Sequence, residues 1–273
     1  MASFLSGFTL IGERLNTHRE RFKTRVAERD AESVVKEALR QQEAGVSHLD
    51  LNTSAVSERE TEDMLWLLDT IMPALQPETG LAIDTASIEC LKQALERLKG
   101  RGNTIINAIS NDFQRIRDVL PLVVEHQASV IVILSSSASA SRSADERLHV
   151  AEQLHALLCG AGVTEARQYY DPQLLPLAFD PQQPGAVLAT VRELRRRWPA
   201  AHGIVGLSNI SFNMPDRALL NRSYLSMLLA SGIDGMLFDP CDTQLRQALI
   251  AARALLGQDE FLTTYLSEIG RDD

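Results

Sequence analysis

The sequence predicts a single α/β domain over residues 1–273, built as a closed (β/α)8 barrel. Three observations carry that prediction. Short apolar runs rich in β-branched residues alternate with longer amphipathic stretches eight times over. The length of 273 residues fits a barrel of roughly 250, and no linker rich in Pro, Gly or Ser divides the chain. The competing architecture, a doubly wound open sheet, more often carries a G-x-G-x-x-G turn after its first strand, and none is present.

The strands are expected at Phe8–Arg14, His48–Asn52, Leu81–Thr85, Thr104–Ala108, Ser129–Leu134, Gln168–Asp171, Gly203–Ser208 and Gly235–Phe238. Between them, helical periodicity covers Asp30–Ala44, Ser57–Met72, Ile88–Leu98, Phe113–Glu125, Ala144–Leu158, Gly185–Arg197, Arg217–Ala230 and Thr243–Leu256. In the first of these, Val34, Val35, Ala38 and Leu39 recur at helical spacing, with Asp30 as N-cap and Gly45 as stop. Gly100, Gly160, Gly232 and Gly257 play the same stopping role further on. The serine-rich stretch Ser135–Ser143 reads as a loop at the barrel mouth. The segment after strand one, with Arg19, Arg21, Lys23 and Arg25, reads as a short basic loop.

Composition narrows the function. Hydrophobic residues make up 45% and charged residues 23%, which is globular and excludes disorder as the main state. With 27 basic and 36 acidic residues the net charge is −9, so a nucleic-acid partner is not expected. The one dense basic cluster, Arg192 with Arg195–Arg197, reads as a solvated helix end. Cys90, Cys159 and Cys241 are too scattered for a metal or redox motif, and six histidines form no H-x-x-x-H pair. No directly bound metal is therefore expected. No apolar run of about 18 residues exists and the start lacks a charged leader, so the expected location is the cytoplasm, away from membranes.

Such barrels build their sites at the C-terminal ends of the strands. Here polar residues gather at those ends: Glu13 and Asn16, Asp50 and Asn52, Asp84, Asn107, Asp171, Ser208 and Asn209, and Asp239. Each alone fits a cap or a turn. An Asp or Asn at seven of eight strand ends is harder to explain so, because buried carboxylates and amides cost free energy unless satisfied. A flat heterocycle bearing ring N–H and amino donors would satisfy them. Glycoside hydrolysis by two carboxyls drawn from Glu13, Asp84 and Asp171 is an open alternative at this point.

The ordered motifs Ile-Gly-Glu-Arg-Leu-Asn (11–16), Leu-Asp-Leu-Asn (49–52), Ile-Asp-Thr (83–85), Ile-Asn-Ala (106–108), Asp-Pro-Gln-Leu-Leu-Pro (171–176) and Gly-Leu-Ser-Asn-Ile-Ser (206–211) resemble the methyltetrahydrofolate:corrinoid methyltransferases. That superfamily also holds the folate domain of cobalamin-dependent methionine synthase and dihydropteroate synthase. The resemblance runs from about residue 10 to 256 and includes Asn-Arg-Ser-Tyr-Leu at 221–225. It implies that Asp84, Asn107 and Asp171 hold the pterin ring and that Asn209 approaches N5, the nitrogen bearing the methyl group. Glu13, Asn16, Ser208 and Arg217 would surround the site, with Asp50 and Asn52 under it; Arg217 reads equally as a residue that orders its own loop. Phe212 departs from the polar residue that the acetyl-CoA-pathway enzymes tend to have there and is more like the methionine synthases.

By the same resemblance the substrate is tetrahydrofolate or 5-methyltetrahydrofolate, and the methyl partner is a corrinoid such as cobalamin. The chain has no Asp-x-His-x-x-Gly corrinoid motif, so a separate corrinoid protein is expected to dock transiently at the mouth. A homodimer is expected from the family, and the direction of transfer is left open. The rival readings are a dihydropteroate-synthase-like enzyme, which would need an anion site for pyrophosphate, and a non-catalytic folate-binding module.

Overall fold

A computed structural model describes residues 7–136 and 143–269. Eight strands run β1 (Thr9–Asn16), β2 (His48–Asn52), β3 (Gly80–Asp84), β4 (Thr104–Asn111), β5 (Ser129–Ser136), β6 (Gln168–Asp171), β7 (His202–Gly206) and β8 (Gly235–Phe238). Each pairs in parallel with its sequence neighbour, and β8 closes on β1. The predicted (β/α)8 barrel is therefore the fold. Helices α1 (Glu20–Ala27), α2 (Ala31–Glu43), α3 (Glu60–Ile71), α4 (Ile88–Arg97), α5 (Phe113–Glu125), α6 (Ala144–Gly160), α7 (Gln183–Arg197), α8 (Arg217–Ser231), α9 (Thr243–Leu255) and α10 (Thr263–Glu268) surround it.

The local signals work as expected in several places. Asp30 caps α2 by accepting from Ser33 N at 3.1 Å, and Gly45 follows in the left-handed region at φ 90°. The arginines ending α7 are engaged at the surface, Arg196 and Arg197 with Glu193 and Arg195 with Asp234.

Other expectations need correction. The basic stretch after strand one is a helix, α1, because Phe22 and Val26, four apart, bury one face while the arginines face out. Strand β7 ends at Gly206, and Leu207–Asn209 is a 3-10 turn, so Ser208 and Asn209 sit on a turn beyond the strand. Strands β1 and β4 run further than expected, to Asn16 and Asn111. Gly160 lies inside α6, and Gly162 takes the left-handed conformation instead, at φ 85°. Of the serine-rich stretch, Ser135 and Ser136 end β5 and Ser143 caps α6; 137–142 lie outside the described residues. Helix α10 has no counterpart in the expected elements.

Two apolar layers hold the barrel. The larger joins the outward strand faces to the helices, with Leu49, Leu51, Ile83, Val132 and Val205 packed among Leu67, Leu91, Val123 and Leu228. The smaller takes Ile11, Ala82, Ile105, Ile131, Tyr169 and Ile204, with Leu237 against them. It draws one residue from each of seven strands, which places it inside the ring. Ile131 is 1% exposed in that closed interior, where collapse around a void is hindered. Ile131→Ala should lower the unfolding free energy by about 2–5 kcal/mol, read from urea denaturation; a loss under about 1 kcal/mol would show that the interior relaxes freely.

Candidate active site

The inner layer fixes where the polar residues go. Side chains alternate across a strand, so the residue two beyond an inner apolar one also points inward, one step nearer the mouth. Glu13 follows Ile11, Asp84 follows Ala82, Asn107 follows Ile105, Asp171 follows Tyr169 and Asp239 follows Leu237 at this interval. In β2 the polar residues start lower. Asp50 pairs in register with Ala82, so it stands at the level of the apolar layer, with Asn52 above it.

Asp50, 2% exposed, is the deepest of the set. Its Oδ1 accepts from Asn107 Nδ2 at 3.1 Å, and beside it Asp84 Oδ2 accepts from Asn52 Nδ2 at 2.8 Å. Burial pushes the Asp50 carboxyl well up, and the neighbouring Asp84 charge pushes it further. Asp84 is raised too, by burial, but Asn52, His18 and Arg115 all favour its ionised form. Asp50 is thus the partner that favours the neutral state, and Asp84 the one that keeps the charge. The Asn107–Ala108 peptide above Asp50 is cis.

Across the barrel, Asp171 ends β6 and accepts from Gln173 N at 2.8 Å. Burial raises its carboxyl to about 6, against the smaller opposing pull of that bond and of Arg147. On the β1–β8 side, Ser208 Oγ donates to Glu13 Oε1 at 3.1 Å and Arg19 pairs with the same oxygen at 3.0 Å. Burial nevertheless raises the Glu13 carboxyl. Arg14 bridges Glu37 and Asp239, each at 2.5 Å. Asn16 accepts from His18 N at 2.9 Å, so one face of its amide is used in its own turn. Asn209 is exposed on the 3-10 turn. A Cβ on Gly206 would stand 3.2 Å from its Nδ2, so glycine there leaves that amide its room. Arg217 donates to Ser208 O at 3.0 Å and Ser211 Oγ at 3.1 Å, and so ties down the loop that carries Asn209.

The fold thus brings Asp50, Asn52, Asp84 and Asn107 into one bonded group and Glu13 with Ser208 into another. Asp171 stands at the end of its own strand, and Asn209 and Arg217 are exposed at the rim. Sequence reading missed two supporting arginines. Arg115, from α5, donates to Thr85 O at 2.8 Å and to Ala86 O and Ala108 O at 3.0 Å, tying the chain just past β3 to the middle of β4. Arg147, fully buried in α6, donates to Pro172 O at 2.6 Å and also binds Gln183, fixing the chain just past Asp171. Both lie on amphipathic helices where an arginine reads as a surface residue, so spacing gave no signal. Among the described residues, Glu96, Glu125 and His126 have ligand atoms within 4.8 Å of one another and would suit a metal ion. They lie where α4 and α5 end, at the base of the barrel away from the mouth.

A barrel whose mouth is lined by paired carboxyls and amides defines a class that binds donor-rich ligands at its strand ends. Residues 12–236 match the family model described as pterin binding enzyme, and the chain belongs to that family. It is 26% identical over 258 residues to the methylcorrinoid:tetrahydrofolate methyltransferase of Eubacterium limosum, covering 94% of each chain. It is 27% identical over 238 residues to the methionine synthase of Mycobacterium leprae, matching 82% of this chain and 19% of that larger protein. Among solved structures, the 7,8-dihydropteroate synthase of Vibrio fischeri superposes with TM-score 0.70 at 17% identity, over 93% of this chain and 95% of that one. The Coxiella burnetii dihydropteroate synthase in complex with pteroic acid gives 0.68 at 16%, over 91% and 93%. At such identities these structures speak for the fold alone.

The raised Asp171 carboxyl makes a pH prediction. Its folded value of about 6 lies above the ordinary aspartate range, so the folded state holds the proton more tightly. Its destabilising effect is absent below about pH 4, grows as pH rises to about 6 and is constant above. Asp171→Asn should therefore raise stability at pH 7 by about 1–3 kcal/mol and leave it unchanged at pH 4, compared by denaturant unfolding at the two pH values. An equal effect at both would show that the carboxyl titrates normally.

Proposed function

We propose that the protein moves a methyl group between N5 of tetrahydrofolate and the cobalt of a corrinoid carried by a partner protein, the same site serving both directions. The observation that carries this reading is the pair of amide–carboxylate bonds, Asn52–Asp84 and Asn107–Asp50, with the burial-raised carboxyl of Asp171 across the barrel mouth from them. The relative named methylcorrinoid:tetrahydrofolate methyltransferase, similar over nearly the whole chain, supports it. Asp84, Asn107 and Asp171 would hold the pterin, a flat ring rich in N–H donors, with Asp50 and Asn52 orienting the first two from below. Glu13, Asn16 and Ser208 would border the ring. The protein would act in the cytoplasm as a homodimer, met transiently at the mouth by the corrinoid protein.

The corrinoid supplies a low-valent cobalt that accepts the methyl group, or a methylated cobalt that returns it. The chain's own task is at N5. As the methyl leaves, N5 gains basic character and needs a proton or a strengthening hydrogen bond. Asn209, exposed on the turn after Gly206, would offer its carbonyl to a protonated N5, directly or through water. Asp84 and Asp171 would orient the ring, which by itself is worth several kcal/mol in effective concentration. A dihydropteroate-synthase-type condensation would require free cationic groups for pyrophosphate. The named mouth arginines are engaged instead: Arg14 with Glu37 and Asp239, Arg19 with Glu13, and Arg217 with its loop.

The test is an anaerobic assay with methyltetrahydrofolate and chemically reduced cobalamin, following loss of the reduced cobalamin absorbance. Protein-dependent loss is expected. Asn209→Ala should slow it about 10–100-fold while changing methyltetrahydrofolate affinity less than about threefold, since its role grows as the bond breaks. Equal losses in both would reduce Asn209 to a binding contact. Asp171→Asn should weaken methyltetrahydrofolate binding by about 1–3 kcal/mol in calorimetry, and unchanged affinity would remove it from the site. The absence of both turnover and methyltetrahydrofolate binding would defeat the pterin reading itself.

A further inference from the structure

At the opposite end of the barrel, where α6 finishes and β6 begins, a second group of side chains meets. Cys159 is exposed, one residue before the end of α6. Its Sγ lies 3.6 Å from Nε2 of His155, one helical turn earlier, and 3.5 Å from Nε2 of Gln168, the first residue of β6. The sulfur is therefore not solitary; it faces a base and an amide donor.

The hydrogen bonds around His155 fix which nitrogen carries its proton. Gln168 Nε2 donates to Val163 O at 2.8 Å, which turns its Oε1 toward His155. Tyr170 OH donates to that Oε1 at 2.6 Å. His155 Nδ1 then lies 3.1 Å from Gln168 Oε1 and 3.0 Å from the Tyr170 oxygen. The amide oxygen can only accept, and the Tyr170 proton is already committed to it. Nδ1 must bear the imidazole proton, which leaves the Nε2 lone pair directed at the cysteine. Trp198 stacks on the ring at 4.3 Å between centroids, and Glu165 Oε1 lies 3.7 Å from Nε2. Nucleophile, base and a third group orienting the base are the arrangement that activates a weak nucleophile.

We propose that Cys159 is a nucleophilic thiol primed by His155, with Gln168 as positioning residue, and that it is a site of reversible modification by low-molecular-weight disulfides, independent of the pterin site. In the step, His155 Nε2 takes the Cys159 proton as Sγ attacks one sulfur of the disulfide. A new S–S bond forms to Cys159 and the old one breaks. The departing thiolate takes up the proton from His155 and leaves as a thiol. Cys159 is oxidised and half of the small disulfide is reduced. Of the other two cysteines, Cys90 is buried and Cys241 is half-buried; burial raises both thiols, so neither competes.

The experiment treats the full chain with dithiodipyridine at pH 7, follows thiopyridone release and assigns the labelled residue by mass spectrometry, with glutathione as the free-thiol standard. Cys159 should label at least about tenfold faster than glutathione. His155→Gly should fall to the glutathione rate, and added imidazole should restore it. Cys159→Ser should remove the fast phase and leave methyltetrahydrofolate binding unchanged. Wild-type Cys159 reacting no faster than glutathione overturns the proposal, and this comparison needs no variant to fold. Slow labelling in His155→Gly that imidazole does not restore assigns the histidine a packing role and overturns it as well.

Discussion

Closing eight parallel strands into a ring leaves an interior that each strand can reach only with every second residue, and the rest of this molecule depends on that limit. The inner apolar layer of Ile11, Ala82, Ile105, Ile131, Tyr169 and Ile204 uses the lower inward positions. The next inward positions have no apolar partner above them and face the mouth. Glu13, Asp84, Asn107, Asp171 and Asp239 occupy five of them, and Ile133 and Gly206 stand at the same interval in β5 and β7. Strand β2 departs in another way, by placing Asp50 at the level of the apolar layer. That one displaced carboxyl lies beneath the site, shifts the proton balance between itself and Asp84, and uses the Asn107 amide to satisfy its own buried oxygen.

The electrostatics follow from depth. The carboxyls of the mouth are raised by burial, yet to different extents, because the surrounding donors differ. Asp84 has an amide, an imidazole and a guanidinium set against one like charge, Glu60, whereas Asp50 has one amide set against two, Asp84 and Glu13. Two carboxyls on neighbouring strands thus divide into one that favours neutrality and one that favours charge. A ligand meeting both finds a hydrogen-bond acceptor in each, with the ionised form better supported at Asp84.

Most of the barrel was legible in the sequence because strand–helix alternation is a local pattern, and β2, β6, β8 and α5 begin and end where periodicity places them. The seven polar strand ends were legible for the same reason: an Asp or Asn closing an apolar run is visible without knowing its neighbours. What escaped was long-range or masked by charge. Helix α1 hid because its two buried residues, Phe22 and Val26, are surrounded by basic ones. Arg115 and Arg147 hid because nothing local says that a helical arginine turns inward to bind carbonyls on another segment. The turn carrying Ser208 and Asn209 was read as strand because Gly203–Ser208 is apolar enough to continue one. Its true end is the 3-10 turn that begins at Leu207.

That turn has a consequence for how the protein can vary. Gly206 leaves a space barely wider than the Asn209 amide, and any side chain at 206 meets the Asn209 nitrogen before anything else. The two positions therefore form one unit of change. A side chain at 206 would require the Asn209 amide to give by a few tenths of an ångström, so a change at 206 is felt first at the rim residue 209.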